Sequence, residues 1–86
     1  MADKIKIWGR TTSINVQKAL IALSECNLDY HQEVIGRQYG GTFEPDYCRL
    51  NPNGNIPTLE DGEFVLWESN AIVAYLCGKY GPDGLV

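Results

Sequence analysis

An α/β fold is what this 86-residue sequence predicts, with its elements in the order β-α-β-(α)-β-β-α. Residues 4–8 alternate polar and apolar side chains, as a half-buried strand does, and a stretch with helical periodicity follows them. The dipeptide Asp61-Gly62 between two apolar runs indicates a β-hairpin, and a second helical stretch comes after it. A βαβ unit joined to a ββα unit builds a mixed four-stranded sheet covered by helices. Local propensity alone leaves an α+β fold open as well.

The first half of the chain is predicted to form a strand, a helix and a second strand. Residues 9–12 form a turn, and Ser13 is a favourable helix N-cap. Apolar residues then recur at helical spacing to about Cys26, and Asn27 is a typical helix terminator. A second strand is expected over residues 30–34, and the crossover between the two strands should be right-handed.

The second half is predicted to form a loop, a hairpin and a final helix. Residues 36–45 contain three glycines and form the loop, and residues 46–50 form a helical turn. Residues 58–60 and 64–66 are the two strands of the hairpin. The final helix covers residues 69–79 and ends at a Gly-Pro-Asp-Gly segment.

The composition indicates one ordinary globular domain and excludes some classes of function. A hydrophobic content of 44% with 21% charged residues is typical of soluble proteins. The formal net charge of −4 argues against sequence-independent nucleic-acid binding, which needs clustered lysine and arginine. No apolar run approaches the roughly 18 residues of a membrane span, and no signal-peptide pattern is present. We therefore expect neither a nucleic-acid nor a membrane partner.

A metal site is not indicated by the sequence. Cys26, Cys48 and Cys77 are widely spaced and lack the spacing of zinc ligands. They are interpreted as reduced thiols in a cytoplasmic protein. Three acidic residues of the hairpin are interpreted as solvated charge: Glu60, Asp61 and Glu63.

The most informative segment is Asn-Pro-Asn-Gly-Asn-Ile-Pro at residues 51–57. Pro57 follows a turn cluster, which is typical of a strand's first residue and compatible with a cis peptide bond. A cis bond would turn the Ile56 backbone outward, where an extended peptide could pair with it. Glu68 and Ser69 precede the final helix, so a carboxylate, a hydroxyl and free helix N–H groups should converge there. Such a corner suits a ligand that carries both an ammonium and a carboxylate group.

These residues closely resemble the glutathione-binding half of the cytosolic glutathione transferases. Residues 51–80 are similar to the family pattern NPxGxVPxLxD followed by ES, AI and YL, and residues 9–20 resemble the N-terminal motif. Each motif is weak alone, but their order and spacing cover nearly the whole chain. The resemblance implies a thioredoxin-like glutathione-binding domain over residues 1–80. It also implies that residues 81–86 begin an interdomain linker and that a helical C-terminal domain is absent from this chain.

The resemblance assigns the catalytic role to Ser13, as in the serine-type bacterial, theta- or phi-like classes. Such enzymes convert the glutathione thiol to the thiolate, the effective nucleophile. Lowering that pKa by about two units requires roughly 2.7 kcal/mol, and one hydrogen bond to a charged group contributes about 1.5–3 kcal/mol. Thr12 and Thr11 are alternatives, because a loop alignment can slip by a residue or two. The alternative role for Ser13 is helix capping alone.

The resemblance also assigns residues to the glutathione peptide. Glu68 would accept a hydrogen bond from the γ-glutamyl ammonium, and Ser69 would donate to the neighbouring carboxylate. The Ile56 main chain, shaped by Pro57, would pair with the cysteinyl backbone like an added strand. Asn55 would contact the same ligand through its amide.

The resemblance leaves two candidates for the residue that binds the glycyl end of glutathione. Some classes of the family place a basic pair in the loop of residues 36–45, and this chain has no such pair there. Gln38 is the candidate donor to the glycyl carboxylate, with Arg37 as the alternative.

The implied function is that of a glutathione transferase, which binds glutathione as co-substrate and activates its thiol for conjugation to a small electrophile. The resemblance implies detoxification in the cytoplasm, a homodimer in the full-length form, and no metal. A non-catalytic glutathione-transferase-like binding or interaction module is the alternative. A glutaredoxin-like oxidoreductase is disfavoured, because residues 9–13 contain no cysteine.

Overall fold

The computed structural model describes residues 4–81. The elements confirm the predicted order and are listed here with their bounds: β1 (Ile5–Trp8), α1 (Ile14–Glu25), β2 (His31–Glu33), a 3-10 turn (Arg37–Tyr39), α2 (Pro45–Leu50), β3 (Thr58–Asp61), β4 (Phe64–Trp67) and α3 (Ser69–Tyr80). The predicted linker, apart from Gly81, lies outside the described residues. None of the helices in the described part is long and apolar enough to cross a bilayer.

The four strands form one mixed sheet in the order β2-β1-β3-β4. Strand β1 pairs in parallel with β2 and antiparallel with β3, and β3 pairs antiparallel with β4. Thr58 lies opposite Trp8 on one side and opposite Trp67 on the other. The end of β1, the start of β3 and the end of β4 therefore meet at one edge of the sheet.

The core lies between the sheet and the helices α1 and α3, which pack against each other. Alternate residues of the central strands β1 and β3 point into this core, as the period of two requires. Burying a large aliphatic side chain contributes about 1.5–3 kcal/mol, so this cluster stabilises the contact between the sheet and the helices. Its buried members are Ile5, Ile7, Ala19, Ala22, Leu23, Leu59, Ile72 and Leu76.

Two local predictions are tested by backbone geometry. Asn27 terminates α1 as expected, with a φ of 58° in the left-handed region. The hairpin turn lies one residue later than the Asp-Gly signal suggested, because Asp61 ends β3 and Gly62 occupies the left-handed position with a φ of 63°. The one-residue shift places the Asp61 side chain inside the protein.

Asp61 is buried, so its interpretation as solvated charge was wrong. Its Oδ2 accepts hydrogen bonds from the Tyr75 hydroxyl at 2.6 Å and the Tyr80 hydroxyl at 2.5 Å. Lys79 Nζ lies 3.3 Å from Oδ2, and Lys4 Nζ lies 3.4 Å from Oδ1. We call this cluster the Asp61 clasp. It joins the start of β1, the end of β3 and the last turn of α3.

The clasp keeps the Asp61 carboxyl ionised to low pH. Burial by itself raises the pKa of this group, because a charged form is poorly solvated inside the protein. The hydrogen bonds from the two tyrosines and the two lysine charges outweigh burial and lower the pKa from 3.8 to about 2.

Removing the Asp61 charge should destabilise the fold. Because the folded-state pKa lies below the ordinary one, the carboxylate stabilises the fold above about pH 4, and this contribution is lost as the pH falls towards 2. We expect Asp61→Asn to lower the free energy of unfolding at neutral pH by about 2 kcal/mol. The variant should also show a flatter acid limb in urea unfolding measured at several pH values.

The matched control is Glu63→Gln, which removes an exposed carboxylate from the adjacent turn. Its unfolding free energy should equal that of the wild type. If Asp61→Asn were as stable as Glu63→Gln at neutral pH, the buried charge would have no stabilising role.

Candidate functional site

A cleft of about 470 Å³ lies at the edge of the sheet where β1 and β4 end and β3 begins. The strand register explains its position, because the segments that follow β1, precede β3 and follow β4 must meet there. Six of the residues predicted for the site line this cleft: Ser13, Asn55, Ile56, Pro57, Glu68 and Ser69.

The turn after β1 is held close to both α1 and the segment before β3. A β-carbon on Gly9 would lie 2.4 Å from Val16 Cγ2 and 3.4 Å from Ile56 Cβ, so only glycine fits at this position. Gln32 Nε2 donates to the Gly9 carbonyl at 2.9 Å and ties the turn to β2. This packing fixes the point at which α1 begins.

Ser13 is both the N-cap of α1 and a residue of the cleft. Its Oγ accepts from the Val16 N–H at 3.4 Å, a long hydrogen bond, and its backbone is extended with a φ of −79°. Within residues 4–81 the hydroxyl donates no hydrogen bond, so its proton is available to a ligand. Thr11 and Thr12 are exposed and do not line the cleft, and Thr11 Oγ1 accepts from Gln32 at 3.0 Å.

The Ile56–Pro57 peptide bond is cis, in agreement with the geometry considered from the sequence. Pro57 is buried, and Ile56 is partly exposed at the cleft. Within the part of the chain that the structure describes, the Ile56 N–H and C=O make no backbone hydrogen bond. An extended ligand could therefore pair with both groups.

A buried amide, that of Asn51, holds the segment before β3, and the sequence did not indicate this role. Asn51 is 1% exposed, and its Nδ2 donates to the Asn55 carbonyl at 3.0 Å and to Thr58 Oγ1 at 3.2 Å. Its Oδ1 accepts from the Asn53 N–H at 3.1 Å, the pattern of an Asx turn. The Tyr47 hydroxyl bonds to the same two oxygens, the carbonyl of Asn55 and Oγ1 of Thr58. We call these residues the Asn51 hub.

Glu68 and Ser69 form the corner at the start of α3. Glu68 has a φ of 83°, which is unfavourable for a side chain of this kind, and its Oε1 accepts from the Asn70 N–H at 2.9 Å. Ser69 is buried and its Oγ lies 3.4 Å from Asn15 Oδ1 on α1. The predicted convergence of a carboxylate, a hydroxyl and a helix N-terminus is therefore present.

Charged groups of both signs line the cleft. Arg37 follows β2 and Glu68 follows β4, and these two strands are the opposite edges of the sheet. The arrangement suits a ligand with separated positive and negative groups. Gln38 lies in the 3-10 turn, but its side chain is outside the described part, so its assignment stays a prediction.

The cleft lining also includes Arg10, Asn15 and Trp67, to which the sequence assigned no function. Arg10 belongs to the turn after β1, and Trp67 is the last residue of β4 and is 38% exposed. No spacing rule points to them, because their place in the cleft depends on the strand register. Among residues 4–81, no group of three or more histidine, cysteine, aspartate or glutamate side chains is arranged to hold a metal.

The fold is that of a thioredoxin-like domain with a cleft at one edge of its sheet. The family model described as "Glutathione S-transferase, N-terminal domain" matches residues 3–78. The chain therefore belongs to the glutathione S-transferase family.

Curated relatives agree with this assignment. The chain is 48% identical over 83 residues to glutathione S-transferase GstB of Escherichia coli, covering 94% of this chain and 40% of the relative. It is 38% identical over 79 residues to glutathione S-transferase 4 of Zea mays, covering 92% of this chain and 35% of the relative. The chain thus spans two fifths or less of the length of these proteins.

Solved structures have the same fold. The theta class glutathione S-transferase of Xanthomonas axonopodis pv. citri, a structure with glutathione bound, superimposes with a TM-score of 0.91 at 47% identity. That match covers 96% of this chain and 42% of the other. A glutathione transferase homologue of Drosophila mojavensis, also with bound glutathione, gives a TM-score of 0.87 at 29% identity, covering 96% and 41%.

Removing the Asn51 amide should destabilise the chain. Asn51→Ala leaves the buried oxygens of Asn55 and Thr58 with fewer donors, and an unsatisfied buried group costs about 1–3 kcal/mol. We expect a loss of that size in the free energy of unfolding measured with urea. Asn53→Ala is the control, because its exposed side chain is removed while its N–H still donates to position 51. Equal stability of the two variants would contradict the role of the hub.

Proposed function

We propose that this chain is the glutathione-binding part of a glutathione transferase. It binds glutathione in the cleft and activates its thiol for conjugation to an electrophile. The observation that carries the proposal is that Ser13, Ile56 and Glu68, from three separate segments, line a single cleft. The glutathione bound in two related structures supports the choice of ligand.

Ser13 is the proposed catalytic residue. Its hydroxyl donates to the glutathione sulfur and stabilises the thiolate more than the thiol, which lowers the pKa of the thiol. The thiol proton passes to solvent, and the thiolate then forms a sulfur–carbon bond with the electrophile. The nearby N-terminus of α1 adds to the stabilisation of the negative charge.

The corner of Glu68 and Ser69 holds the γ-glutamyl end in this proposal. The Glu68 carboxylate accepts from the ammonium group, while the hydroxyl and N–H of Ser69 donate to the carboxylate. The left-handed backbone of Glu68 and its bond to Asn70 keep the carboxylate at the cleft. Backbone strain of this kind is frequently found at residues that bind a ligand.

The centre and the glycyl end of glutathione lie along the segment before β3. The N–H and C=O of Ile56, which have no backbone partner within residues 4–81, bond the cysteinyl backbone, and the cis peptide bond at Pro57 sets their direction. Asn55 lies beside them in the cleft. Gln38 or Arg37 holds the glycyl carboxylate, and Arg37 is supported by its place in the cleft.

We propose that conjugation also needs a part of the protein outside the region that matches its relatives. Its relatives are more than twice as long as the matched region. We propose a thioredoxin-like domain over residues 1–80, a linker from residue 81, and a helical domain that binds the electrophile. A homodimer, a cytoplasmic location and a role in detoxification belong to the same proposal.

Substitution of Ser13 tests the catalytic assignment. Ser13→Ala removes the donor to the sulfur, so the pKa of bound glutathione should rise by about one unit or more, because a hydrogen bond to a charged group contributes about 1.5–3 kcal/mol. The measurement is the pH dependence of the conjugation rate with a generic electrophile. Ser13→Thr keeps a hydroxyl and should retain the wild-type profile. An unaltered profile in Ser13→Ala would transfer the role to Thr12 or Thr11, which Thr12→Ala and Thr11→Ala would separate.

Substitution of Glu68 tests the γ-glutamyl corner. Glu68→Gln keeps an oxygen for the Asn70 N–H but removes the charge that binds the ammonium. A lost charge-assisted bond costs about 1.5–3 kcal/mol, so glutathione should bind at least tenfold more weakly by calorimetry. Glu63→Gln makes the same change in net charge outside the cleft and should bind normally. Unchanged affinity in Glu68→Gln would refute the assignment.

A further inference from the structure

The guanidinium of Arg10 lies against the loop that follows β2. A β-carbon built on Gly36 would lie 3.1 Å from Arg10 Nη1 and 2.9 Å from Ile56 Cδ1. Gly36 is buried, and its φ of 104° is a conformation that glycine adopts without strain. Because position 36 has no side chain, the Arg10 head group reaches from the turn after β1 to the loop after β2, beside the Ile56 side chain.

A second cation of the cleft, Arg37, is in that same loop. Strands β1 and β2 are parallel, with Trp8 opposite Glu33, so the segments that follow them leave the sheet at the same edge. Arg37 directly follows Gly36 and lines the cleft together with Arg10. Its φ of 47° is a left-handed conformation, which is strained for a residue with a β-carbon and is frequent at ligand sites. Two guanidinium groups therefore lie on the β2 side of the cleft.

Neither guanidinium takes part in an ion pair with another residue of the described range 4–81. The acidic residue that lines the cleft is Glu68, and it follows β4, which is the edge of the sheet opposite to β2. A guanidinium stays charged at every accessible pH, and its planar fork of N–H donors fits a carboxylate. The β2 side of the cleft is therefore suited to bind a carboxylate of the ligand.

We propose that Arg10 and Arg37 together bind the C-terminal carboxylate of glutathione, with Arg10 as the principal contact. The inference rests on the proposed function, in which Glu68 holds the γ-glutamyl ammonium and the Ile56 backbone holds the cysteinyl unit. A ligand that extends from Glu68 past Ile56 reaches the β2 side of the cleft with its last residue. Arg10 is thus added to Arg37 and Gln38 as a contact of the glycyl end, and the cleft selects peptides that end in a free carboxylate.

The two arginines should contribute unequally to this interaction. Arg10 is half-buried, whereas Arg37 is exposed. Water and salt screen the attraction between exposed charges, so an exposed ion pair contributes little to binding. A guanidinium that is partly removed from water is screened less, and we therefore expect most of the selectivity for the carboxylate to come from Arg10.

Glutathione and its glycyl ethyl ester separate the C-terminal charge from the rest of the ligand. The ester keeps the γ-glutamyl and cysteinyl units but has no negative charge at its C-terminus. Calorimetry measures the affinity of both ligands for the wild type and for Arg10→Gln, Arg10→Lys and Arg37→Gln. Arg49→Gln is the matched control, because Arg49 is an exposed arginine outside the cleft lining. Thermal unfolding verifies that each variant is folded.

We expect the wild type to bind glutathione at least about tenfold more tightly than the ester, because the ester lacks the charge-assisted hydrogen bonds. Arg10→Gln should weaken glutathione binding about tenfold and change the affinity for the ester by less than about twofold. Arg37→Gln should weaken glutathione binding by less than about fivefold. Arg10→Lys should keep part of the preference for glutathione, and Arg49→Gln should match the wild type.

Two results would overturn this inference and leave the proposed function intact. One is a wild-type protein that binds the ester as tightly as glutathione. The other is an Arg10→Gln variant that keeps the full preference for glutathione or loses affinity for both ligands equally. A wild-type protein that binds neither ligand would overturn the proposed function and this inference together.

Discussion

The cleft depends on one buried amide. The Asn51 side chain is removed from water, so each of its polar atoms needs a partner inside the protein. It finds them at Asn53, Asn55 and Thr58, which ties the end of α2 to the start of β3. The segment between them has no regular secondary structure, yet it presents the Ile56 backbone to the cleft. The cost of leaving the amide unsatisfied is what selects one conformation of this segment.

The order of elements could be predicted because each depends on local chemistry. The alternation in β1, the Ser13 cap and the left-handed Asn27 are properties of neighbouring residues, and all three are present in the structure. The corner of Glu68 and Ser69 was found in the same way. The burial of a side chain was harder to predict where it depends on the strand register. Asp61 is the clearest case, because a shift of one residue in the turn changes it from solvated to buried.

The cleft residues that the sequence did not reveal were hidden for two different reasons. Arg10 and Trp67 come from segments far apart in the sequence, and the pairing of Thr58 with both Trp8 and Trp67 brings these segments together. Asn51 was visible as part of the Asn-Pro-Asn-Gly-Asn run, but a turn motif does not reveal that its first residue is buried. An asparagine at the head of a turn cluster, two residues before a backbone N–H that its side chain can accept, is the part of the signal that the sequence does carry.

The members of the Asp61 clasp differ in how well the fold should tolerate their replacement. One carboxylate serves four partners, so the loss of Tyr75 or of Lys79 leaves the others in place. Loss of Asp61 itself leaves two ammonium groups close together around an empty position. Replacing one partner should therefore cost less stability than replacing the aspartate. The effect of a replacement at Tyr80 should accordingly depend on which of the other partners are present.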